Sequence, residues 1–301
     1  MLGQFRGCLL GLAVGDALGA PVAGLSAEEI AGGYGKVIEL LPGGSFPRQA
    51  GETTDDTALA LALLESYIEL GGFDPHDIAE RFLEWYRLGA LGAGSLTCIA
   101  CENLLYGYNF ERAGYDAWQG LPESLRQGSG SLMRAAPTGL LRYHDHVHLV
   151  GESRVISGIT HYDERCKLSC VCLNLAIAHL LLVGADGLLD ELLEFIEPRN
   201  TVLGYALRAV PSLRVGDLRA TGYVVDTLVT ALWAVLYCDE FEEGLALLVG
   251  RGGNADTVGA VGGALLGARF GVDAIPARWL ESLQDRQRID DGACRLYTLS
   301  Q

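Results

Sequence analysis

Hydrophobic and polar positions along the chain recur with helical periods, and strand signals are scarce. Residues 57–70 (TALALALLESYIEL) are apolar on almost every face, as in a helix buried at the centre of a fold. Residues 77–88, 168–183, 223–238 and 241–250 read as amphipathic or buried helices. Residues 255–269 (ADTVGAVGGALLGAR) form another, loaded with Gly and Ala. Its glycines cost helix propensity, but small residues let helices approach closely, so this helix is expected to be central and tightly packed. The segment KVIELLP at 36–42 is a short, isolated strand candidate. Glycines gather at 71–72, 92–95, 128–131 and 250–253, at segment ends where helix stops and loops belong. No fixed-period repeat and no break in composition divides the chain. The pattern predicts one compact all-α domain over residues 1–301, many orthogonally packed short helices with several functional loops.

Composition narrows the function. Half of the 301 residues are hydrophobic, which rules out intrinsic disorder. No run of 18 or more apolar residues suggests a membrane span. There are 22 basic against 38 acidic residues, a net charge of −16, and no basic run, so a nucleic-acid partner is not expected. An anionic substrate would have to be held by metal ions, helix N-termini or backbone amides. The apolar N-terminal stretch meets Asp16 and a glycine-punctuated pattern, and reads as a mature cytoplasmic N-terminus, not as a targeting segment. Eight cysteines lie mostly in apolar helical stretches; Cys98 and Cys101 form a CxxC without a zinc-spaced partner, and reduced buried thiols are expected.

Four constellations could carry chemistry. The first is Gly51-Glu52-Thr53-Thr54-Asp55-Asp56-Thr57, before the apolar helix. Capping explains one acid there. A second carboxylate adds repulsion and desolvation cost unless a cation lies between them. The second, Gly250-Arg251-Gly252-Gly253-Asn254-Ala255-Asp256-Thr257, repeats that logic at the mouth of the Gly/Ala helix. If the two mouths face each other, their oxygen donors suit Mg²⁺, Mn²⁺ or Ca²⁺ and not zinc. The third is Gly128-Ser129-Gly130-Ser131, before Leu132-Met133-Arg134-Ala135-Ala136-Pro137, a loop whose amides could cradle phosphate or be only a loop. The fourth is Thr160-His161-Tyr162-Asp163, where the histidine is either structural or a catalyst. The run His144-Asp145-His146-Val147-His148 reads as a solvated turn at a loop-to-helix transition.

Taken in order, these motifs resemble the ADP-ribosylglycohydrolase family. The likeness starts at Arg6-Gly7-Cys8-Leu9-Leu10-Gly11 and Gly15-Asp16-Ala17-Leu18-Gly19. It runs through Thr54-Asp55-Asp56-Thr57, Gly128–Pro137 and Thr160-His161 to Gly252–Gly267. The resemblance implies an all-α fold with a metal cleft at helix N-termini and a binuclear Mg²⁺ or Mn²⁺ centre held by Thr54, Asp55, Asp56, Asn254, Asp256 and Thr257. It implies that the diphosphate lies on Gly128, Ser129, Gly130 and Ser131, and that His161 and Tyr223 help to hold the nucleotide. The sequence departs from the family pattern in three places: Ala23 replaces an acid, Asn254 replaces an Asp, and the stretch at 89–95 lacks the Asp that many members carry just before it.

The expected function is metal-dependent hydrolysis of an ADP-ribosyl, or related ribosyl, N- or O-glycosidic bond on a protein or small-molecule acceptor. One of Asp55, Asp56 or Asp256 would serve as base, and one cation would bind tightly with a second weak. The alternatives are an ADP-ribose-binding protein of the same fold with little or no activity, and a same-fold hydrolase with a shifted substrate.

Overall fold

A computed structural model describes all 301 residues. Sixteen α-helices follow one another: α1 Leu2–Gly19, α2 Ala27–Gly33, α3 Asp55–Leu70, α4 Pro75–Arg87, α5 Ser95–Leu105, α6 Phe110–Gly120, α7 Ala136–Leu141 and α8 His146–Gly158; then α9 Glu164–Leu182, α10 Leu188–Ile196, α11 Thr201–Ala209, α12 Val224–Tyr237, α13 Phe241–Val249, α14 Ala255–Phe270, α15 Ala277–Ser282 and α16 Arg286–Leu299. There is no strand, only two isolated bridges, Ser26 with Gly252 and Gly128 with Tyr223. The apolar faces converge on one core of 79 buried residues, with a satellite cluster of three at Leu96, Ala100 and Ala117.

The helix expected at 255–269 is α14, and what covers it is α1. Gly7, Gly11, Gly15 and Gly19 lie four apart on one face of α1, and Gly267, Gly263, Gly259 and Ala255 oppose them in reverse order. A Cβ on Gly15 would lie 2.0 Å from the Gly259 carbonyl oxygen, and one on Gly263 would lie 2.0 Å from that of Gly11. The backbones therefore touch along four turns, a spacing only glycine permits. This contact carries the N-terminus of α14 to the C-terminal half of α1, where Asp16 lies. Helix α3 meets α1 and, over a short stretch, α14.

One expectation fails. Residues 36–42 are irregular. Val37 and Leu40 are buried, but the Ile38 carbonyl accepts from Trp279 Nε1 at 2.8 Å and from Arg278 Nη2 at 3.2 Å, so side chains take the place of a strand partner. Two segments, Leu2–Val22 and Glu164–Leu182, are long and apolar enough to cross a membrane by length and composition. They are 94% and 89% buried within the protein, so their apolarity serves the core.

Candidate active site

The mouth of α3 is capped by threonine, not by its acids. Thr54 Oγ1 accepts the Asp56 N–H at 3.2 Å and donates its own proton to Asp56 Oδ2 at 2.9 Å. Asp55 and Asp56 are left over from capping, the second of them 2% exposed. Behind them lies Asp16 of α1, fully buried, whose Oδ2 accepts from Thr54 N–H at 2.9 Å, Thr57 N–H at 3.1 Å and Thr57 Oγ1–H at 2.6 Å. Asp16 thus fixes the orientation of the α3 mouth. In the sequence it belongs to the Gly15-Asp16-Ala17-Leu18-Gly19 motif, where nothing local signals this role.

The mouth of α14 is shaped by two glycines at positive φ, Gly252 (70°) and Gly253 (58°). A Cβ on Gly253 would lie 2.1 Å from the Ala220 oxygen, so no other residue fits. Asn254 follows, and its Nδ2 donates to Ser129 Oγ at 3.3 Å, joining this mouth to the glycine loop. Asp256 Oδ1 accepts from the Thr257 N–H at 2.9 Å.

Both mouths open into one cavity of about 260 Å³, whose walls include Asp55, Asp56, Asn254, Asp256, Thr257, Gly128, Ser129, Gly130 and His161. Gly92, Gly94 and Ser95 close another side. Thr54 stands behind Asp56, outside the lining. Ser131 is wholly buried behind the loop, where it accepts from Ser157 Oγ at 2.9 Å, so its side chain does not line the cavity. Tyr223 is not a lining residue either; it belongs to the bridge that anchors the loop, with Ser129 N–H on Gly222 O at 3.1 Å and Val224 N–H on Gln127 O at 3.0 Å. The Gly130 and Ser131 amides make no hydrogen bond within the protein.

Burial and mutual repulsion make the carboxyls in and behind this cavity hold their protons more tightly than usual. Burial, and then Asp256, raise Asp55 to about 6. Burial raises Asp16 to about 7, against the hydrogen bonds from Thr57 and Thr54. Asp56 is raised well above the ordinary range by burial and then by Asp16, Asp256 and Asp55; Asp256 is raised by burial. Asp16 Oδ1 and Asp56 Oδ1 are buried without a hydrogen-bond partner. Unpaired buried carboxylates are costly, and a hard divalent cation is the group that oxygen donors of this kind accept. No three His, Cys, Asp or Glu side chains close on one point, so a cation here would also draw on Thr hydroxyls, the Asn254 amide oxygen and water. His161, by contrast, is lowered to about 3 by burial and then by the nearby charge of Arg134, and stays neutral.

The acid missing at position 23 is not replaced by a neighbour. Residues 24 and 25 run against the 252–253 turn, with Gly24 N–H on Gly253 O and Gly253 N–H on Leu25 O, both at 2.7 Å. Glu29 is held in a capping box with Ser26, and Glu28 is exposed. A larger cavity, about 890 Å³, lies by Tyr115, Tyr162 and Lys167. Its cations Arg112 and Arg154 are engaged by Asp116 and Glu164, and it holds no buried unpartnered carboxylate, so the smaller cavity is the candidate site. Among the histidines at 144–148, His148 is exposed and bound to the helix-capping Asp145, Nδ1 to Oδ2 at 2.6 Å.

The all-α fold thus brings the carboxylates at two helix mouths into one cavity with a glycine loop whose amides are free. Residues 2–301 match the ADP-ribosylglycohydrolase family, enzymes that hydrolyse ADP-ribosyl glycosidic bonds, and the chain belongs to that family. It is 34% identical to the ADP-ribosylarginine hydrolase Tri1 of Pseudomonas putida (strain GB-1), over 98% of this chain and 78% of that protein. It is 31% identical to the ADP-ribosyl-[dinitrogen reductase] glycohydrolase of Rhodospirillum rubrum, over 92% of this chain and 89% of that one. A solved chain described as an ADP-ribosylglycohydrolase-related protein complex superposes with a TM-score of 0.84 at 37% identity, covering 100% of this chain and 99% of that chain.

Proposed function

We propose that this protein is a metal-dependent hydrolase that removes ADP-ribose from an arginine-linked or related N- or O-glycoside, on a protein or a small acceptor. The observation that carries this reading is the set of carboxylates Asp55, Asp56 and Asp256 at two helix mouths, with Asp16 behind them and none of the four ion-paired, sharing a cavity with the glycine loop that carries the free amides of Gly130 and Ser131. Asp55, Asp56 and Asp256, with Thr54, Thr257 and the Asn254 oxygen, would hold Mg²⁺ or Mn²⁺, one ion tightly and a second weakly. When bound, the cation supplies Lewis acidity toward the ribose hydroxyls and neutralises the carboxylates. The chain's own residues do the rest. Asp55, raised to about 6, is suited to take the proton of the attacking water. Gly130 and Ser131 amides receive the diphosphate, and His161 stands beside the loop as a neutral donor. All eight cysteines are free, which supports a reducing, cytoplasmic setting.

Ala23 and Asn254 favour a second reading, a protein that binds ADP-ribose but turns over slowly or not at all. Incubation with ADP-ribosyl-arginine, with Mn²⁺ and after chelation, separates the two. Release of free ADP-ribose that chelation stops supports the hydrolase; affinity for ADP-ribose without release supports the binder.

A further inference from the structure

Arg134 is wholly buried, yet none of its hydrogen-bond partners is a carboxylate. Nη1 donates to the Gly130 carbonyl at 2.7 Å, Nη2 donates to Thr160 Oγ1 at 2.7 Å, and the Phe82 ring lies 4.5 Å from Cζ. Its Nε has no partner. A buried guanidinium without an acid is unfavourable for folding alone, so its placement calls for another role.

The hydrogen-bond chemistry supplies one. A guanidinium only donates. Thr160 Oγ1 therefore accepts from Arg134, and its single proton is free for one acceptor. The only other partner of that oxygen is His161 Nδ1, at 2.7 Å. The proton goes there, so Nδ1 is an acceptor and the ring's own proton resides on Nε2. Nε2 faces the glycine loop: it lies 3.0 Å from where a Cβ on Gly130 would stand and 3.3 Å from that of Gly128. The second guanidinium arm acts on the same loop. In a trans peptide the carbonyl and the N–H point opposite ways, so holding Gly130 O toward Arg134 turns the Ser131 N–H away from it.

We propose that Arg134 is a positioning residue of the cleft: through Thr160 it fixes His161 as the Nε2–H tautomer, and through the Gly130 carbonyl it sets the unpartnered Ser131 amide. Both groups then present donors to an anionic oxygen of the phosphate class. The ligand part of this proposal rests on the reading of the cleft given above; the tautomer part does not.

Long-range ¹H–¹⁵N correlation spectra of the whole protein at neutral pH test it, with the His161 signals identified by their loss in His161→Gln. The wild-type ring should show an unprotonated Nδ1 and a protonated Nε2. Thr160→Val should release that preference and weaken ADP-ribose about tenfold in calorimetry while leaving Mn²⁺ affinity unchanged. Arg134→Lys should bind ADP-ribose more tightly than Arg134→Gln. If Arg134→Gln does not fold, Thr160→Val decides. A proton on Nδ1 in the wild type overturns the proposal, as does a Thr160→Val protein that keeps both tautomer and affinity. A wild-type protein that shows the Nε2–H tautomer but no affinity for ADP-ribose would overturn the cleft reading and uphold the relay.

Discussion

The Thr57 hydroxyl of α3 donates to the Asp16 carboxylate of α1 at 2.6 Å, and that bond ties the mouth of one buried helix to the C-terminal turn of another. Asp16 does not line the cavity, yet it holds Thr54 and Thr57 on either side of the Asp55–Asp56 pair. Asp16→Asn should therefore fold, keep one acceptor oxygen, and lose about 10- to 100-fold in Mn²⁺ affinity, the usual cost of removing a group that orients metal ligands. Calorimetric titration with Mn²⁺ checks this; unchanged affinity would make Asp16 purely structural.

Stability should respond to pH through the same residue. A carboxyl that holds its proton more tightly in the fold than in the unfolded chain supports the fold while protonated. Asp16, raised to about 7, supports it fully below about pH 4 and loses that support as pH rises through 7. His161, lowered to about 3, acts in the opposite direction up to about pH 6.5, so the comparison with Asp16→Asn removes its contribution and leaves that of Asp16 with its repulsion of Asp56. In chelator, the stability of Asp16→Asn relative to wild type should grow between pH 4 and 7 by up to about 1.4 kcal/mol per unit. Saturating Mg²⁺ should reduce that difference. Thermal melts across the window read it, and a constant difference contradicts the burial of an uncompensated carboxylate.

The glycine ladder gives a sharp contrast between positions. Gly263→Ala would place a Cβ 2.0 Å from the Gly11 oxygen, and should cost about 3 kcal/mol or more, because neither backbone can yield without moving the cleft. Gly32→Ala, in α2, meets nothing within 4 Å and should be neutral or stabilising by up to about 1 kcal/mol. Urea denaturation of the two variants tests this, and equal effects would mean that α1 and α14 can separate freely.

Asn254 gives the third test at the cleft. Its amide nitrogen is committed to Ser129 at 3.3 Å, which leaves one neutral oxygen where a carboxylate would add charge. The wild-type protein should bind one Mn²⁺ well and a second weakly, since closely spaced divalent ions need that charge to offset their repulsion. Asn254→Asp should tighten the second site, and together with Ala23→Glu it should raise turnover of ADP-ribosyl-arginine. Two equally tight sites in the wild type would show that the amide suffices.

What the sequence made legible, and what it concealed, follows from how local each signal is. Polar clusters placed just before apolar helices exposed Asp55, Asp56, Asn254 and Asp256, because a helix mouth is a local feature. Asp16 escaped, since it stands inside an apolar helix and its partners are 38 and 41 residues away. Gly7, Gly11, Gly15 and Gly19 read as punctuation, although their spacing of four is a helix-contact pattern whose partner lies in α14. The segment around Val37 and Leu40 mimicked a strand because burial of a short apolar run needs no sheet when Trp279 and Arg278 serve the Ile38 carbonyl within it. Ser131 and Tyr223 have side chains outside the cavity lining, a matter of direction that motif position does not encode.

The central claim is that the carboxylates at the two helix mouths hydrolyse an ADP-ribosyl bond. The most direct measurement is the rate of ADP-ribose release from ADP-ribosyl-arginine in Mn²⁺ by the wild type and by Asp55→Asn, with thermal melts of both proteins. The expected result is measurable release by the wild type and a fall of at least about 100-fold in the variant, roughly 2.7 kcal/mol of transition-state stabilisation, with the melting temperature held or raised. Release within about twofold of wild type by a folded Asp55→Asn protein would contradict the claim.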